Sequence, residues 1–357
     1  MSNVPVFVGL DYHQDAIQVC VLDQQGEVLM NRSAPNDVRE LGRIVGPLGV
    51  VQRVAIEACC GAADLGEELV EQLKWNVSLG HPAYISKIKS SPDKSDFSDG
   101  RLLADLTRVG YLPRVWLAPA RIRELRQLVN HRQRLVDHGR AIKLQVGAIL
   151  REQRVKIHKD CGCRWSKAWT AAARDNLQLS EQGRWIVNDL LDELKHAREK
   201  IEKVQQRLRE ATEADAVVQK LMTQPGIGEV TAWVLRAYVG DFSRFKTAKQ
   251  LARYCGMSPC NASSGKRQAD AGLIDGCNKL LRLTVVQAAH RLIRNSQRWS
   301  DLAGSMRARG KAACVIVGAV GNRWLRNLHH AMKMDAQPTD TKQTNARLTD
   351  KKGTPGN

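Results

Sequence analysis

No apolar run in the 357-residue sequence approaches the roughly 20 residues that a helix needs to span a bilayer. The first residues, Met1-Ser2-Asn3, also lack the basic and apolar segments of a secretory signal. These two absences predict a soluble, cytoplasmic protein without a membrane partner. With 43% hydrophobic residues the chain can still bury a core, and its length fits two or three domains of about 150 residues each.

Paired cysteines are missing as well. The nine cysteines are scattered along the chain, without the CxxC spacing of a zinc ribbon. His158, Cys161 and Cys163 lie close together in sequence and could ligate a metal, but no fourth ligand is evident. Reduced thiols are therefore the expected state of the cysteines, and the role of this trio stays open.

Acidic residues are too few to balance the basic ones. The chain has 55 Lys and Arg against 37 Asp and Glu, which gives a formal net charge of +18. Such an excess favours a polyanionic partner, because basic side chains displace the counterions condensed on nucleic acid. Since no membrane segment is present, the charge predicts a nucleic-acid-binding protein.

Residues 1–115 contain short apolar runs typical of strands and segments with helical periodicity, which together predict a mixed α/β domain. Short β-rich apolar runs predict strands over residues 4–10, 17–22, 26–29, 50–56 and 76–79. The short turns between the first three predict an antiparallel start to the sheet. Helical periodicity is found over residues 37–45, 61–73 and 99–109.

Residues 116–215 predict a connector of long helices. Apolar residues at heptad spacing follow residues 120–153, where Arg132 and Gly139 interrupt the seam, and then residues 187–211 without a polar break. Two such helices predict an antiparallel hairpin, an intermolecular coiled coil, or both. The segment between them, residues 156–176, is predicted to be irregular.

Residues 216–333 predict a compact, mainly helical domain, and the polar residues 334–357 predict a disordered tail. The motif Pro225-Gly226-Ile227-Gly228 resembles a helix-hairpin-helix loop, in which glycines let backbone N–H groups approach a phosphate. It fits a plain tight turn equally well. The one-signed basic charge of the helix over residues 120–153 favours a surface that follows phosphates.

Four carboxylates stand at positions where they could converge. Asp11 ends the first strand, Glu57 ends a later strand, and Asp96 and Asp99 are spaced so that one helical turn puts both on one face. Clustered carboxylates repel each other unless a cation neutralises them, and hard oxygen ligands favour Mg²⁺ or Mn²⁺. The order predicts a site for metal-assisted phosphoryl transfer on a ribonuclease-H-like fold.

The order and spacing of several sequence blocks resemble the DEDD-type insertion-sequence transposases. These enzymes are relatives of the Piv-type DNA invertases, and some are guided by a bridge RNA. The matching blocks are VGLD at 8–11, AIEA at 55–58, KSDFSDGRLLA at 94–104, PGIG at 225–228, GDFSRF at 240–245, GMSP at 256–259 and SSGK at 263–266. Departures occur at Cys59-Cys60, where many relatives have Thr-Gly, and at Gly100, where an Ala is common. Neither departure removes a candidate ligand.

The resemblance implies a ribonuclease-H-like N-terminal domain, a coiled-coil connector and a C-terminal domain with a nucleophilic serine. By position, Asp11, Glu57, Asp96 and Asp99 would be both catalytic residues and metal ligands, and Ser264 would be the nucleophile, with Ser263 as its rival. The family also implies DNA as donor and target, a bridge RNA, and dimers that pair into tetramers on DNA. A bacterial, nucleoid-associated location is the corresponding expectation.

A serine nucleophile also has a chemical rationale that does not depend on the resemblance. Attack by a serine hydroxyl makes a phosphoserine bond that a DNA hydroxyl can later reverse, so rejoining needs no ATP. Two other functions stay open at this stage. One is a Holliday-junction-type nuclease that uses only the carboxylates, and the other is a non-catalytic nucleic-acid-binding protein.

Overall fold

The computed structural model describes residues 4–88, 96–261 and 270–334. It forms two compact units that divide between Arg121 and Ile122. The candidate nucleophiles Ser263 and Ser264 lie outside the described residues, as does the predicted tail beyond residue 334.

The first unit is built on a mixed six-stranded sheet. Its strands are β1 (Pro5–Tyr12), β2 (Ala16–Leu22), β3 (Val28–Pro35), β4 (Val50–Glu57), β5 (Val77–Gly80) and β6 (Arg114–Val115). The sheet order is β3-β2-β1-β4-β5-β6. β2 pairs antiparallel with both β1 and β3, which confirms the predicted antiparallel start, while β1, β4 and β5 run parallel.

Helices cover both faces of this sheet, and their bounds are α1 (Val38–Val45), α2 (Ala62–Leu73), α3 (Pro82–Ile88) and α4 (Asp96–Arg108). Alternate residues of β1 and β4, among them Val8, Leu10 and Ile56, pack with α1 and α2 in one core. The residues between them face the other side of the sheet, where Ala55 packs with Leu103 of α4. The two-residue period of a strand thus assigns every second residue of β1 and β4 to the α4 side.

The predicted connector forms an antiparallel helical hairpin. Helices α5 (Ala120–Glu152) and α7 (Glu181–Thr212) pack through buried apolar residues of both helices, and Nε2 of His138 lies 2.9 Å from Oε1 of Glu193. The segment between them was predicted to be irregular, which is wrong in part, because it contains α6 (Lys167–Arg174). Ser166 caps α6, since its hydroxyl accepts a hydrogen bond from the N–H of Trp169.

The cleaner heptad seam is therefore covered within the chain over much of its length. Val187, Leu190, Leu194 and Ala197 are buried, the first three of them in one cluster with residues of α5. A seam that already packs on its own hairpin partner leaves no exposed apolar stripe there for a second subunit. The hairpin is one of the two arrangements that the periodicity left open.

The C-terminal part of the second unit is mainly helical, as predicted, and also contains a short two-stranded sheet. Its elements are α8 (Ala216–Met222), α9 (Glu229–Val239), α10 (Ala248–Tyr254), β7 (Pro259–Asn261), β8 (Asp270–Leu273), α11 (Lys279–Asn295), α12 (Gln297–Ala308) and α13 (Ala313–Met334). β7 and β8 pair antiparallel and flank residues 262–269 in sequence. Trp233 of α9, Leu281 of α11 and Leu325 of α13 belong to its main core.

None of the described helices is both long enough and apolar enough to cross a membrane. All nine cysteines are free thiols.

Candidate active site

The carboxyl ends of β1 and β4 place two of the predicted acids side by side. The parallel pairing of these strands sets Gly9 beside Ala55 and Leu10 beside Ile56, so the next residues along are Asp11 and Glu57. Asp11 shares its face with Gly9, and Glu57 shares its face with Ala55, because side chains alternate along a strand. Both acids therefore lie on the α4 side of the sheet, and both are half-buried.

The first turn of α4 supplies the other two acids. The helix begins at Asp96, so Asp96 and Asp99 both lie within its first turn. Negative side chains are favoured there, because unpaired backbone N–H groups give the start of a helix a partial positive charge. Asp96 is exposed and Asp99 is half-buried.

A close backbone contact brings this turn to β1. A Cβ on Gly9 would overlap the carbonyl oxygen of Gly100 and the N–H of Ala104 in α4. Only glycine at position 9 lets the helix approach the strand this closely. A hydrogen-bond chain supports the same turn: Gln18 donates to the side-chain oxygen of Asn31 at 2.7 Å, and Asn31 donates to the carbonyl of Phe97 at 3.0 Å.

His13 joins the carboxylates of β1 and α4. Its Nε2 atom lies 3.6 Å from Oδ2 of Asp11 and 3.6 Å from Oδ2 of Asp96. These three ligand atoms lie within 4.8 Å of one another, and within the described residues they form the one such group of three that could hold a metal ion. His158, Cys161 and Cys163 therefore do not converge on a metal site. His158 instead contacts Asp160, with 2.8 Å between Nδ1 and Oδ2.

The pKa of Asp11 reflects the crowding of these acids. Partial burial raises the pKa of Asp11 above its ordinary value, His13 opposes this rise, and the negative charges of Asp96 and Asp99 add to it. Asp99 is thus near enough to act on Asp11. A cation among these groups would favour the ionised carboxylates and remove the strain of like charges.

Glu57 lies in the same region as Asp11, because both carboxylates act on the neighbouring thiol of Cys59. The pKa of Cys59 is raised, first by partial desolvation and in smaller part by the charges of Cys60, Glu57 and Asp11. Both carboxylates therefore act on one sulfur atom just after β4. All four predicted acids lie at one end of the sheet, and His13 contacts the side chains of Asp11 and Asp96 directly.

The residues present fit a divalent cation. Carboxylate oxygens are the ligands that Mg²⁺ and Mn²⁺ prefer, and an imidazole nitrogen is compatible with Mn²⁺. Asp11, His13 and Asp96 could hold such an ion, with Glu57 and Asp99 beside them. The arrangement could assist phosphoryl transfer.

Sequence reasoning did not single out His13 or Asn31. His13 stands two residues after Asp11, a spacing that puts side chains on one side of an extended chain and could have indicated it. The contact of Asn31 with Phe97 joins residues 66 positions apart, and no local pattern announces it.

The motif at residues 225–228 forms the turn between α8 and α9. Gly226 has a φ of +83°, which glycine adopts at no steric cost, and Ile227 is buried. Gly228 caps α9. The turn thus joins two helices, as a helix-hairpin-helix loop does, and contact with DNA remains a prediction.

Some basic residues of α5 make hydrogen bonds to other parts of the chain. Arg126 donates to the carbonyl of Ala237 at 3.1 Å, and Arg132 donates to Gln205 at 3.3 Å. Burial lowers the pKa of both guanidinium groups. These two arginines therefore support the packing of the unit, and the phosphate-following surface predicted on α5 is smaller than its charge count suggested.

Comparison with known families gives two matches along the chain. Residues 8–154 match a DEDD transposase family of the IS110 type, and residues 218–303 match the family described as Transposase IS116/IS110/IS902. The first match contains all four predicted acids.

Individual relatives align over most of the chain. It is 22% identical to the transposase for insertion sequence element IS1111A of Coxiella burnetii, over 84% of this chain and 81% of the relative. It is 24% identical to a probable family 20 transposase of Pseudomonas aeruginosa, over 80% and 84%. It is 23% identical to the transposase for insertion sequence element IS1328 of Yersinia enterocolitica, over 81% and 84%.

The first match covers most of the first unit and continues through α5, the second match lies in the second unit, and the relatives align across both units. The chain belongs to the IS110/IS116 family of insertion-sequence transposases, which are enzymes that act on DNA.

Proposed function

We propose that the chain cuts and rejoins DNA strands by metal-assisted attack of a serine, through a covalent phosphoserine intermediate. The observation that carries this proposal is the convergence of Asp11 and Asp96 around His13 at the ends of β1 and α4. The sheet order β3-β2-β1-β4-β5, with its antiparallel start and parallel centre, supports a ribonuclease-H-like assignment for the first unit. The name of the matched DEDD family points to divalent-metal dependence.

Asp11, Glu57, Asp96 and Asp99 are the proposed metal ligands. A bound Mg²⁺ or Mn²⁺ would supply positive charge against the negative charge that develops in phosphoryl transfer. The carboxylates hold the site at the rigid end of a sheet, and the close contact of Gly9 with α4 fixes the distance between strand and helix acids.

Ser264 is the proposed nucleophile, with Ser263 as its rival. The serine oxygen forms a bond to the scissile phosphorus while the bond from phosphorus to the departing DNA oxygen breaks. The proton of the serine hydroxyl is lost, and the departing oxygen leaves as a DNA hydroxyl after taking up a proton. Rejoining is the reverse step with a hydroxyl from another strand, so the bond energy is kept.

A structured bridge RNA is the proposed guide, and the proposed assembly is a dimer that pairs into a tetramer on DNA. Both proposals come from the family. The net charge of +18 supports binding to two nucleic acids. RNA that copurifies with the protein would be sequenced; the guided mechanism predicts one discrete RNA species, and random cellular RNA would contradict it.

Incubation of the protein with supercoiled and branched DNA in Mg²⁺ tests the reaction. Covalent protein–DNA adducts on a denaturing gel are the expected result. Free nicks without adducts would instead show a nuclease that uses only the carboxylates. Shifted but uncut DNA would show a protein that only binds. The Asp11→Asn variant serves as the control, since it removes a proposed ligand with little change in shape.

A further inference from the structure

Three basic side chains lie along one face of α13. Arg323, Arg326 and His330 follow each other at spacings of three and four residues, which places them above one another on the helix, and all three are exposed. The inward face of the same helix is apolar, with Val320, Leu325 and other residues buried. The like charges of Arg323 and Arg326 repel at this spacing, so this face is unfavourable for the helix alone and favourable for an anion.

Two hollows flank Arg323 and Arg326, and both arginines line both hollows. The first hollow has a volume of about 390 Å³ and also contains Arg298 and His330. The second has a volume of about 710 Å³ and also contains Arg282. No Asp or Glu of the described residues lines either hollow. Together they form a groove of one charge sign across α13, called the arginine groove below.

Arg282 adds a third guanidinium group to the lining of the second hollow. Its Nε and Nη2 atoms are buried and have no hydrogen-bond partner among the described residues. The carboxylate of Asp275 is fully exposed and lies 4.0 Å from Nη1 of Arg282. Because the Nε and Nη2 atoms have no accessible surface, and Nε packs beside Gly256, an anion in the second hollow would be attracted by the charge of this guanidinium group rather than by hydrogen bonds from Nε and Nη2.

The walls and dimensions of the arginine groove suit a nucleic-acid strand. Guanidinium groups match the paired oxygens of a phosphate, and apolar walls such as Leu273 and Val315 suit sugars and bases. From Arg323 to His330 the helix advances about 10 Å. Since the charges of one strand lie roughly 3.4 Å apart along the axis of B-form DNA and farther apart along an extended strand, this face is long enough for more than one backbone phosphate.

The position of the arginine groove favours the DNA strand that is cut. Pro259 of β7 and Leu273 of β8 both line the second hollow. These two strands are joined in sequence by residues 262–269, which include Ser263 and Ser264. A strand held against Pro259 and Leu273 contacts the two strands between which, in sequence, the segment with the proposed nucleophile lies.

We propose that the arginine groove, formed by Arg282, Arg298, Arg323, Arg326 and His330, binds the sugar–phosphate backbone of a single DNA strand. The choice of the cut strand rests on the proposed function. The binding itself does not, because it can be measured without metal and without cleavage.

The test measures the fluorescence anisotropy of a short, labelled, single-stranded DNA of mixed sequence, without Mg²⁺ and over a range of salt concentrations. The full-length double variant Arg323→Gln and Arg326→Gln is compared with the wild type. Loss of two phosphate contacts should lower the slope of log K against log salt by about 1.4 and weaken binding by roughly tenfold or more. Both side chains are exposed, so the melting temperature should not change.

The matched control is the double variant Arg307→Gln and Arg309→Gln. These arginines are exposed, lie in the same unit and line neither hollow. This control should keep most of the wild-type affinity and slope. An equal loss in both double variants would show that only net charge matters and would overturn the proposal, as would an unchanged affinity in the first.

RNA of the same sequence is the second probe. If the first double variant lost affinity for the RNA and kept its affinity for the DNA, the arginine groove would bind RNA, and the assignment to a DNA strand would be wrong. Failure of the proposed function would appear differently, as normal DNA binding through the arginine groove without any covalent adduct.

Discussion

Gly9 on β1 and Gly100 on α4 meet backbone to backbone, since a Cβ on Gly9 would overlap the carbonyl oxygen of Gly100. This contact lies two residues before Asp11 and four residues after Asp96. The distance between strand and helix acids is therefore set by the absence of a side chain, and the geometry of the candidate site depends on it.

Replacement of Gly9 by Ala should push α4 away from the sheet. We expect a loss of about 1–3 kcal/mol in the free energy of unfolding, as for other overpacked positions, together with reduced DNA cleavage. Gly304→Ala is the control, because nothing lies within 4 Å of its Cβ position and it lies within α12, where alanine is at least as favourable as glycine. Urea titrations compare the two variants. Equal unfolding midpoints would show that the close approach is not required.

Asp11 should make the folded protein less stable as the pH rises, whereas a carboxylate in a salt bridge makes a protein more stable as the pH rises. Its pKa is raised in the folded state, mainly by burial, so the folded protein binds the proton more tightly than the unfolded chain does. The resulting loss of folding free energy is absent at pH values below the pKa that Asp11 has in the unfolded chain. It develops as the pH rises towards the pKa of Asp11 in the folded protein, and it is complete above that pKa. Asp11→Asn should therefore melt at a higher temperature than the wild type at pH 7 in chelator.

The same comparison at acid pH completes this prediction. The difference in melting temperature between Asp11→Asn and the wild type should shrink as the pH falls below the ordinary Asp value. A variant that melted below the wild type at pH 7, with the deficit disappearing at low pH, would mean that the carboxylate is stabilised in the folded protein, contrary to its burial near Asp96 and Asp99.

His13 should contribute a nitrogen ligand when the site is loaded with Mn²⁺. Electron spin-echo spectra of the wild type are expected to show modulation from a coordinated ¹⁴N nucleus, and His13→Gln should lose it. The variant should also bind Mn²⁺ about tenfold more weakly or worse, since even outer-shell changes at metal sites cost about 10–100-fold. His138→Gln, which removes a histidine of the second unit, should behave as wild type. Modulation that persists in His13→Gln would exclude this role.

Leu194 should act through folding rather than through subunit assembly. It is 3% exposed and lies over Gly139, with 3.5 Å between its Cδ1 and the Cβ position of that glycine. Leu194→Ala should cost about 2–5 kcal/mol. Leu144→Ala is the control, because Leu144 of α5 is 66% exposed, and it should change stability by less than about 0.5 kcal/mol. Dissociation of an oligomer by Leu194→Ala without loss of stability would restore the intermolecular seam.

Strong local patterns made much of the first unit predictable. The apolar runs over residues 17–22 and 50–56 lie within β2 and β4, and the helix predicted over residues 61–73 differs from α2 by one residue. Elements with little periodicity of their own were missed. β6 has two residues, and β7 and β8 have three and four, so each depends on its neighbours in the sheet.

The sequence predicted which acids form the candidate site, but it did not predict the distances between them. Strand alternation and the DxxD spacing indicate which side of an element Asp11 and Asp96 occupy. Their separation depends on the contact of Gly9 with α4, which joins residues about ninety positions apart. The same holds for the arginine groove, where Arg282 and Arg326 come together only after α11 and α13 have packed.

The most direct test of the central claim maps the covalent bond to DNA. End-labelled DNA is incubated in Mg²⁺ with the wild type, Ser264→Ala, Ser263→Ala and Asp11→Asn, and the linked peptide is identified by mass spectrometry. Metal-assisted serine attack predicts an adduct on Ser264 in the wild type, none in Ser264→Ala or Asp11→Asn, and some in Ser263→Ala. Binding should survive in all four, since one hydroxyl contributes little beside many phosphate contacts. An adduct that persists in Ser264→Ala, or free nicks without any adduct, would contradict the account.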